Sequence, residues 1–158
     1  MTATDLHPLR RAIELAHQAR DRGNHPFGSV LVDGNGNLLL EAENTVVTER
    51  DSIGHAETNL VRLASQKYDP EFLAHCTLYT STEPCAMCAG AIYWSNIRRV
   101  VYAMSEARLL ELTGSNPQNP TLDLSCRIVF SKGSRSVEVV GPLLEAEAEK
   151  PHEGFWNH

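Results

Sequence analysis

Two short segments constrain this chain more than anything else in it: His55-Ala56-Glu57 and Pro84-Cys85-Ala86-Met87-Cys88. Together they offer an imidazole, two thiols and a carboxylate. A fold that uses all four must bring two distant helix starts to one point. Cys85 and Cys88 are three positions apart, so at a helix start both sulfurs fall on one face of the first turn. The unpaired amides and positive dipole end there favour thiolates, the form that binds a metal. Pro84 precedes that turn, where a missing backbone donor costs nothing. His55 and Glu57 are two apart, which on a regular helix would point them roughly 200° from each other. The pair converges only if His55 sits at the cap, ahead of the helical backbone.

Three protein ligands leave the fourth tetrahedral position of a zinc ion for water, the arrangement of a catalytic site. Zinc can lower the pKa of that water to about 7. A nearby carboxylate can then take its proton and pass it to a leaving amine. The combination suits hydrolytic removal of an amino group from an amidine-like carbon. A lone C-x-x-C also serves as a redox pair or half of a structural zinc site, but a redox pair would leave His55-x-Glu57 unexplained. A closed four-cysteine site would need another cysteine pair at finger spacing, and the remaining Cys76 and Cys126 lie in apolar or strand-like stretches as buried thiols. His55, Cys85 and Cys88 are therefore the metal-ligand candidates and Glu57 the catalytic candidate. The other histidines carry no role from sequence alone, apart from the place of His152 in the C-terminal tail.

At 158 residues and 42% apolar content the chain fits one domain, residues 1–158, with a real core. No apolar run approaches a membrane span, and no secretory apolar stretch follows Met1-Thr2-Ala3-Thr4-Asp5, so the expected location is cytoplasmic. The net charge of −6, with Lys67, Lys132 and Lys150 the only lysines, argues against a nucleic-acid partner.

Apolar spacing predicts a helix over 8–22, stopped at Gly23. A strand over 27–32 turns at Asp33-Gly34-Asn35-Gly36-Asn37 into a second strand over 38–42. His55 opens a helix with apolar positions Ala56, Leu60, Leu63 and Ala64. A strand over 77–81, a helix over 85–94, a strand over 100–103 and a short helix over 106–112 follow. Residues 114–124 read as a loop, 137–140 as a last strand and 142–150 as a last helix. Strands alternating with helices predict an α/β fold, a three-layer α/β/α sandwich with a mixed central sheet and helices on both faces.

The pairing H-x-E then P-C-x-x-C is the signature of the zinc-dependent base deaminases. The chain resembles the cytidine and deoxycytidylate deaminase superfamily, closest to its small bacterial guanine deaminases and fungal-type cytosine deaminases. The run from His25 through Pro26-Phe27-Gly28-Ser29-Val30 resembles that branch's P-F-G-A-V strand. Thr80-Ser81-Thr82-Glu83-Pro84-Cys85-Ala86-Met87-Cys88-Ala89-Gly90-Ala91-Ile92-Tyr93-Trp94 resembles the T-S-x-E-P-C-x-M-C-x-G-A-I-Y-W of guanine deaminases. The resemblance implies zinc on His55, Cys85 and Cys88, a proton shuttle at Glu57, and a base-reading amide at Asn44, which is otherwise a turn or strand-end residue. It makes Phe27 and Trp94 candidate pocket walls. It also implies a tail, 151–158, that covers the active site, in some relatives that of the partner subunit, with Phe155 and Trp156 as a lid and Glu153 as a contact to a ring nitrogen. The alternative is a tail docked on the protein's own surface or in a dimer contact. A homodimer is implied as well.

One departure bears on the substrate. Guanine deaminases carry an aspartate in a T-D or D-D pair shortly after the strand matching 100–103; here the stretch reads Ser105-Glu106-Ala107-Arg108, with Glu106 the candidate substitute. The expected activity is hydrolytic deamination of a free base of the guanine, isocytosine or cytosine type, releasing ammonia. Two other readings share the signature. A tRNA-specific adenosine deaminase would need a basic surface, and a non-catalytic zinc-binding domain of the same fold would have no use for Glu57.

Overall fold

The computed structural model describes residues 3–114 and 116–156. In chain order the elements are α1 (Ala3–Asp21), β1 (Gly28–Val32), β2 (Leu38–Glu43), α2 (Ala56–Lys67), α3 (Pro70–Leu73) and β3 (Thr77–Thr82). There follow α4 (Ala86–Ser95), β4 (Arg99–Met104), α5 (Glu106–Thr113), α6 (Cys126–Ser131), β5 (Glu138–Val140) and α7 (Glu145–Glu149). A turn of 3-10 helix at Lys150–His152 leads into the tail.

The sheet order is β2-β1-β3-β4-β5. β1 is antiparallel to both β2 and β3, whereas β3, β4 and β5 run parallel. The sheet is therefore mixed, as expected. Side-chain alternation sorts its residues to two cores. Leu31, Leu78 and Val100 pack with Leu60, Ala64, Ala89 and Ile92 of α2 and α4. Val30, Val32, Tyr79, Val101 and Ala103 pack with Leu9 and Ile13 of α1, Leu109 of α5 and Ala148 of α7. Both faces are covered by helices, which makes the three layers. Gly28 shows how tightly α1 lies on β1: a Cβ there would sit 2.4 Å from the Ala12 carbonyl oxygen.

Several elements depart from the sequence reading. α1 begins a turn ahead of Pro8, with Asp5 in its first turn, so the proline lies inside the helix. Leu63 is exposed on the outer side of α2. α3 and α6 carry no assignment from the sequence; both are short helices started by a side-chain cap. Asp69 accepts from Phe72 N and Ser125 from Arg127 N. Cys76 and Cys126 are buried thiols as read, Cys126 opening α6.

This topology fixes where a site can form. β3 and β4 end side by side at Thr82 and Met104. The antiparallel β1 begins there at Gly28, and β2 returns there at Glu43. Open α/β sheets bind ligands beyond the carboxyl ends of their parallel strands.

Candidate active site

His55 and Cys85 are the N-caps of α2 and α4, each with extended backbone (φ −74°, ψ 155° and φ −68°, ψ 173°). That is the placement the two-residue spacing of His55 and Glu57 demanded. His55 Nδ1 lies 3.6 Å from Cys85 Sγ and 3.4 Å from Cys88 Sγ. Zinc bonds of about 2.3 Å to sulfur and 2.0 Å to nitrogen, at a tetrahedral angle, put N and S about 3.5 Å apart. All three donor atoms lie within 4.8 Å of one another, the one such cluster among the described residues. The donor set and its spacing therefore fit zinc.

The electrostatics suit the same ion. The Cys85 thiol is lowered to about 4, chiefly by its hydrogen bond with Cys88 and then by His55. Cys88, buried against that thiolate, is pushed well above its ordinary value. Both sulfurs lie at the start of α4, a place that favours negative charge.

Beside the cluster lies a cavity of about 400 Å³, in the range of about 300–1,000 Å³ usual for small-molecule sites. Glu57 lines it from the first turn of α2, only 6% exposed. Burial, and next the nearby Cys85, push its carboxyl up to about 7. A carboxyl poised near neutrality can hold a proton or give it up. Asn44, 1% exposed, lines the cavity just after β2. Its Oδ1 accepts Val46 N–H at 3.0 Å, which fixes the amide plane and leaves the Nδ2 donors uncommitted among the described residues. It is thus a turn residue and a cavity residue at once. Phe27 also lines the cavity.

Trp94 does not. It is 78% exposed near the end of α4 and absent from the cavity lining, because its helix runs away from the site before reaching it. The tail is a second correction. Phe155 and Trp156 stand behind the wall: Trp156 is buried, with ring centroids 5.4 Å from His25 and 6.4 Å from Phe27, and Phe155 lies 5.9 Å from His25. Apolar rings gain more from that dry seat than from a solvent-facing lid. Glu153 is exposed and outside the lining; its carbonyl accepts Arg20 Nη1 at 2.6 Å. Residues 157 and 158 of the expected tail lie outside the described residues.

The roof is instead the loop over 116–122, where Gln118, Asn119, Pro120, Thr121 and Leu122 line the cavity. His25 is a buried cavity residue whose pKa is lowered by burial first and then by His55. Asn116 Nδ2 donates to the Trp156 carbonyl at 3.0 Å, tying roof to tail. His152 anchors the tail by accepting Trp156 Nε1–H on Nδ1 at 2.9 Å. His25 stood in the segment already singled out, as did Glu83, but neither had a local signal of its role.

Glu83 is a buried carboxylate that accepts Glu106 N–H at 3.0 Å, Ser125 O–H at 3.0 Å and Cys126 N–H at 3.1 Å. It thereby holds the starts of α5 and α6 together. Glu106 lines the cavity, and burial, followed by Cys85 and Glu83, raises its carboxyl to about 8. Arg108 stays out of the site, paired with Glu149 and Glu111 on the surface.

The family described as the cytidine and deoxycytidylate deaminase zinc-binding region matches residues 3–104. A probable cytosine deaminase of Schizosaccharomyces pombe is 46% identical over 157 residues, covering 99% of this chain and 95% of that protein. A guanine deaminase of Bacillus subtilis is 43% identical over 96 residues, 60% of this chain and 61% of that protein. Among solved structures, a guanine deaminase from Nitrosomonas europaea superimposes with a TM-score of 0.76 at 26% identity, over 94% of this chain and 82% of that one.

Proposed function

The chain belongs to the cytidine and deoxycytidylate deaminase family, and from that premise we propose that it deaminates a free amino-bearing base, cytosine ahead of guanine. The enzyme class follows from the family: a zinc-dependent deaminase that hydrolyses a C–N bond. The substrate rests on further support, chiefly the near full-length likeness to a protein named as a cytosine deaminase. The observation that carries the chemistry is Glu57, buried in a cavity of base size beside three convergent metal donors.

His55, Cys85 and Cys88 would hold the zinc, which when bound activates water for attack on the amino-bearing carbon. Glu57 holds the proton taken from that water, delivers it to a ring nitrogen and then serves the departing amine. Asn44 presents its amide to the ring edge and Phe27 supplies an apolar wall. Glu106, its carboxyl raised by burial, is the residue that would take the place of the guanine-type aspartate, donating a hydrogen bond when protonated. Roof residues 116–122 exclude water.

The protein is assigned to the cytoplasm, where Cys85 and Cys88 stay reduced; no helix among the described residues is long and apolar enough to cross a membrane. The net charge of −6 disfavours a polyanionic partner and with it the tRNA reading. Trp94 on the outer side of α4 supplies an apolar contact for a homodimer. A role in base salvage fits the substrate.

The test is ammonia release by zinc-loaded protein across cytosine, isocytosine, guanine, adenine and their nucleosides. A strong response to one free base and none to its nucleoside is expected; activity confined to tRNA, or to nothing in the panel, refutes the assignment. Glu57→Gln should retain zinc and lose about 10²–10⁴-fold in kcat.

A further inference from the structure

The end of β3 carries a hydroxyl that the protein does not use. Along the strand, Leu78, Thr80 and Thr82 share the face that packs under α2 and α4, the side on which the metal donors lie. The polar side chains flanking Thr82 in sequence are committed. Thr80 Oγ1 donates to the Thr82 carbonyl at 3.1 Å, Ser81 Oγ accepts Gly28 N–H at 3.1 Å, and the Glu83 carboxylate accepts three donors. Thr82 is 3% exposed, lines the cavity, and its Oγ1 has no hydrogen-bond partner among the described residues. Ser29 shares that condition but does not line the cavity.

A buried hydroxyl without a bond is a standing cost to the fold, recovered only when something enters and bonds it. What can enter here is the contents of the cavity. We propose that Thr82 is a specificity-determining residue whose hydroxyl hydrogen-bonds a polar atom of the bound base. Three residues before Cys85, it reads the part of the ring near the reacting carbon, whereas Asn44 and the roof approach from other elements. A hydroxyl donates once and accepts twice, so it takes either a ring N–H or an oxo group. It discriminates against a ring that presents carbon–hydrogen or methyl at that place, because the hydroxyl would then stay unpaired. The inference rests on the free-base reading and names how that site selects its ligand.

The experiment compares the wild type with Thr82→Val, which keeps the shape and removes the hydroxyl, and Thr82→Ser, which keeps the hydroxyl. For the best base in the panel, Thr82→Val should lower kcat/KM about tenfold or more, mainly through KM, and Thr82→Ser should restore it to within about threefold. Zinc content should be unchanged, and the Tm of Thr82→Val equal to or above wild type, since the lost hydroxyl had no protein bond to lose. A merely structural hydroxyl would lower Tm and leave KM alone, and that result overturns the proposal. So does a kcat/KM within twofold of wild type, or loss of folding in both Thr82→Val and Thr82→Ala. If the wild type releases ammonia from no base, the free-base reading itself has failed; calorimetric affinities for cytosine and guanine then decide Thr82 directly, equal values in wild type and Thr82→Val overturning its role.

Discussion

The floor and the roof of the cavity are built on different principles. The floor is three donors and a carboxylate at the starts of two helices, each placed by its own few neighbours in sequence. The roof is a loop held from outside, by Asn116 donating to the Trp156 carbonyl. The metal donors therefore sit where local backbone rules position side chains, and the cover sits where contacts remote in sequence must be made. The two should fail differently when perturbed.

The floor should give the largest effect. Cys88→Ala leaves two of three donors, and zinc content measured by mass spectrometry should fall to background, with activity down at least about 1,000-fold. The roof should answer by degrees. Trp156→Ala removes a buried aromatic and should cost about 3 kcal/mol of stability while zinc content holds, read as a lower denaturation midpoint and a raised KM. A substantial loss of zinc in that variant would erase the distinction between floor and roof.

A pH titration sharpens the comparison further. Burial first, then Arg20 and His17, push His152 down to about 3, so the folded tail refuses a proton that the unfolded chain accepts near the ordinary value of about 6.5. Its contribution is complete above about pH 6.5 and is lost as pH falls toward 3, at about 1.4 kcal/mol per unit at most. Tail opening, followed by Trp156 fluorescence, should track that window, and His152→Gln should flatten it. The smallest effect belongs to the surface: Trp94→Ala should leave the kinetics of a fixed oligomer within about twofold and show itself only as weaker self-association in sedimentation.

The same contrast decides how much could be read in the sequence. Strands with turn residues between them, helices with spaced apolar positions and the His55 cap all obey rules that act over a few residues, and all were legible. So were the donors and Glu57, and the placement of Asn44 and Phe27 on the cavity follows from the ends of β2 and β1. Trp94 was misplaced because a motif conveys spacing and not which side of a helix faces solvent. The tail was misread because burial of Trp156 depends on His25 and His152, and nothing in their local sequence announces that meeting. The roof escaped for the same reason; prolines and amides over 116–122 say loop, and only the fold says over what.

Glu83 has a consequence for how this catalyst can change. One carboxylate pins the beginnings of α5 and α6, and the roof loop spans the chain from the end of α5 to that second anchor. Insertions, deletions and exchanges between them alter what passes over the cavity without touching the helices that carry the metal donors. The cover can drift in one segment while the donors and Glu57 are inherited intact in the other, so a change in what encloses the cavity needs no new fold.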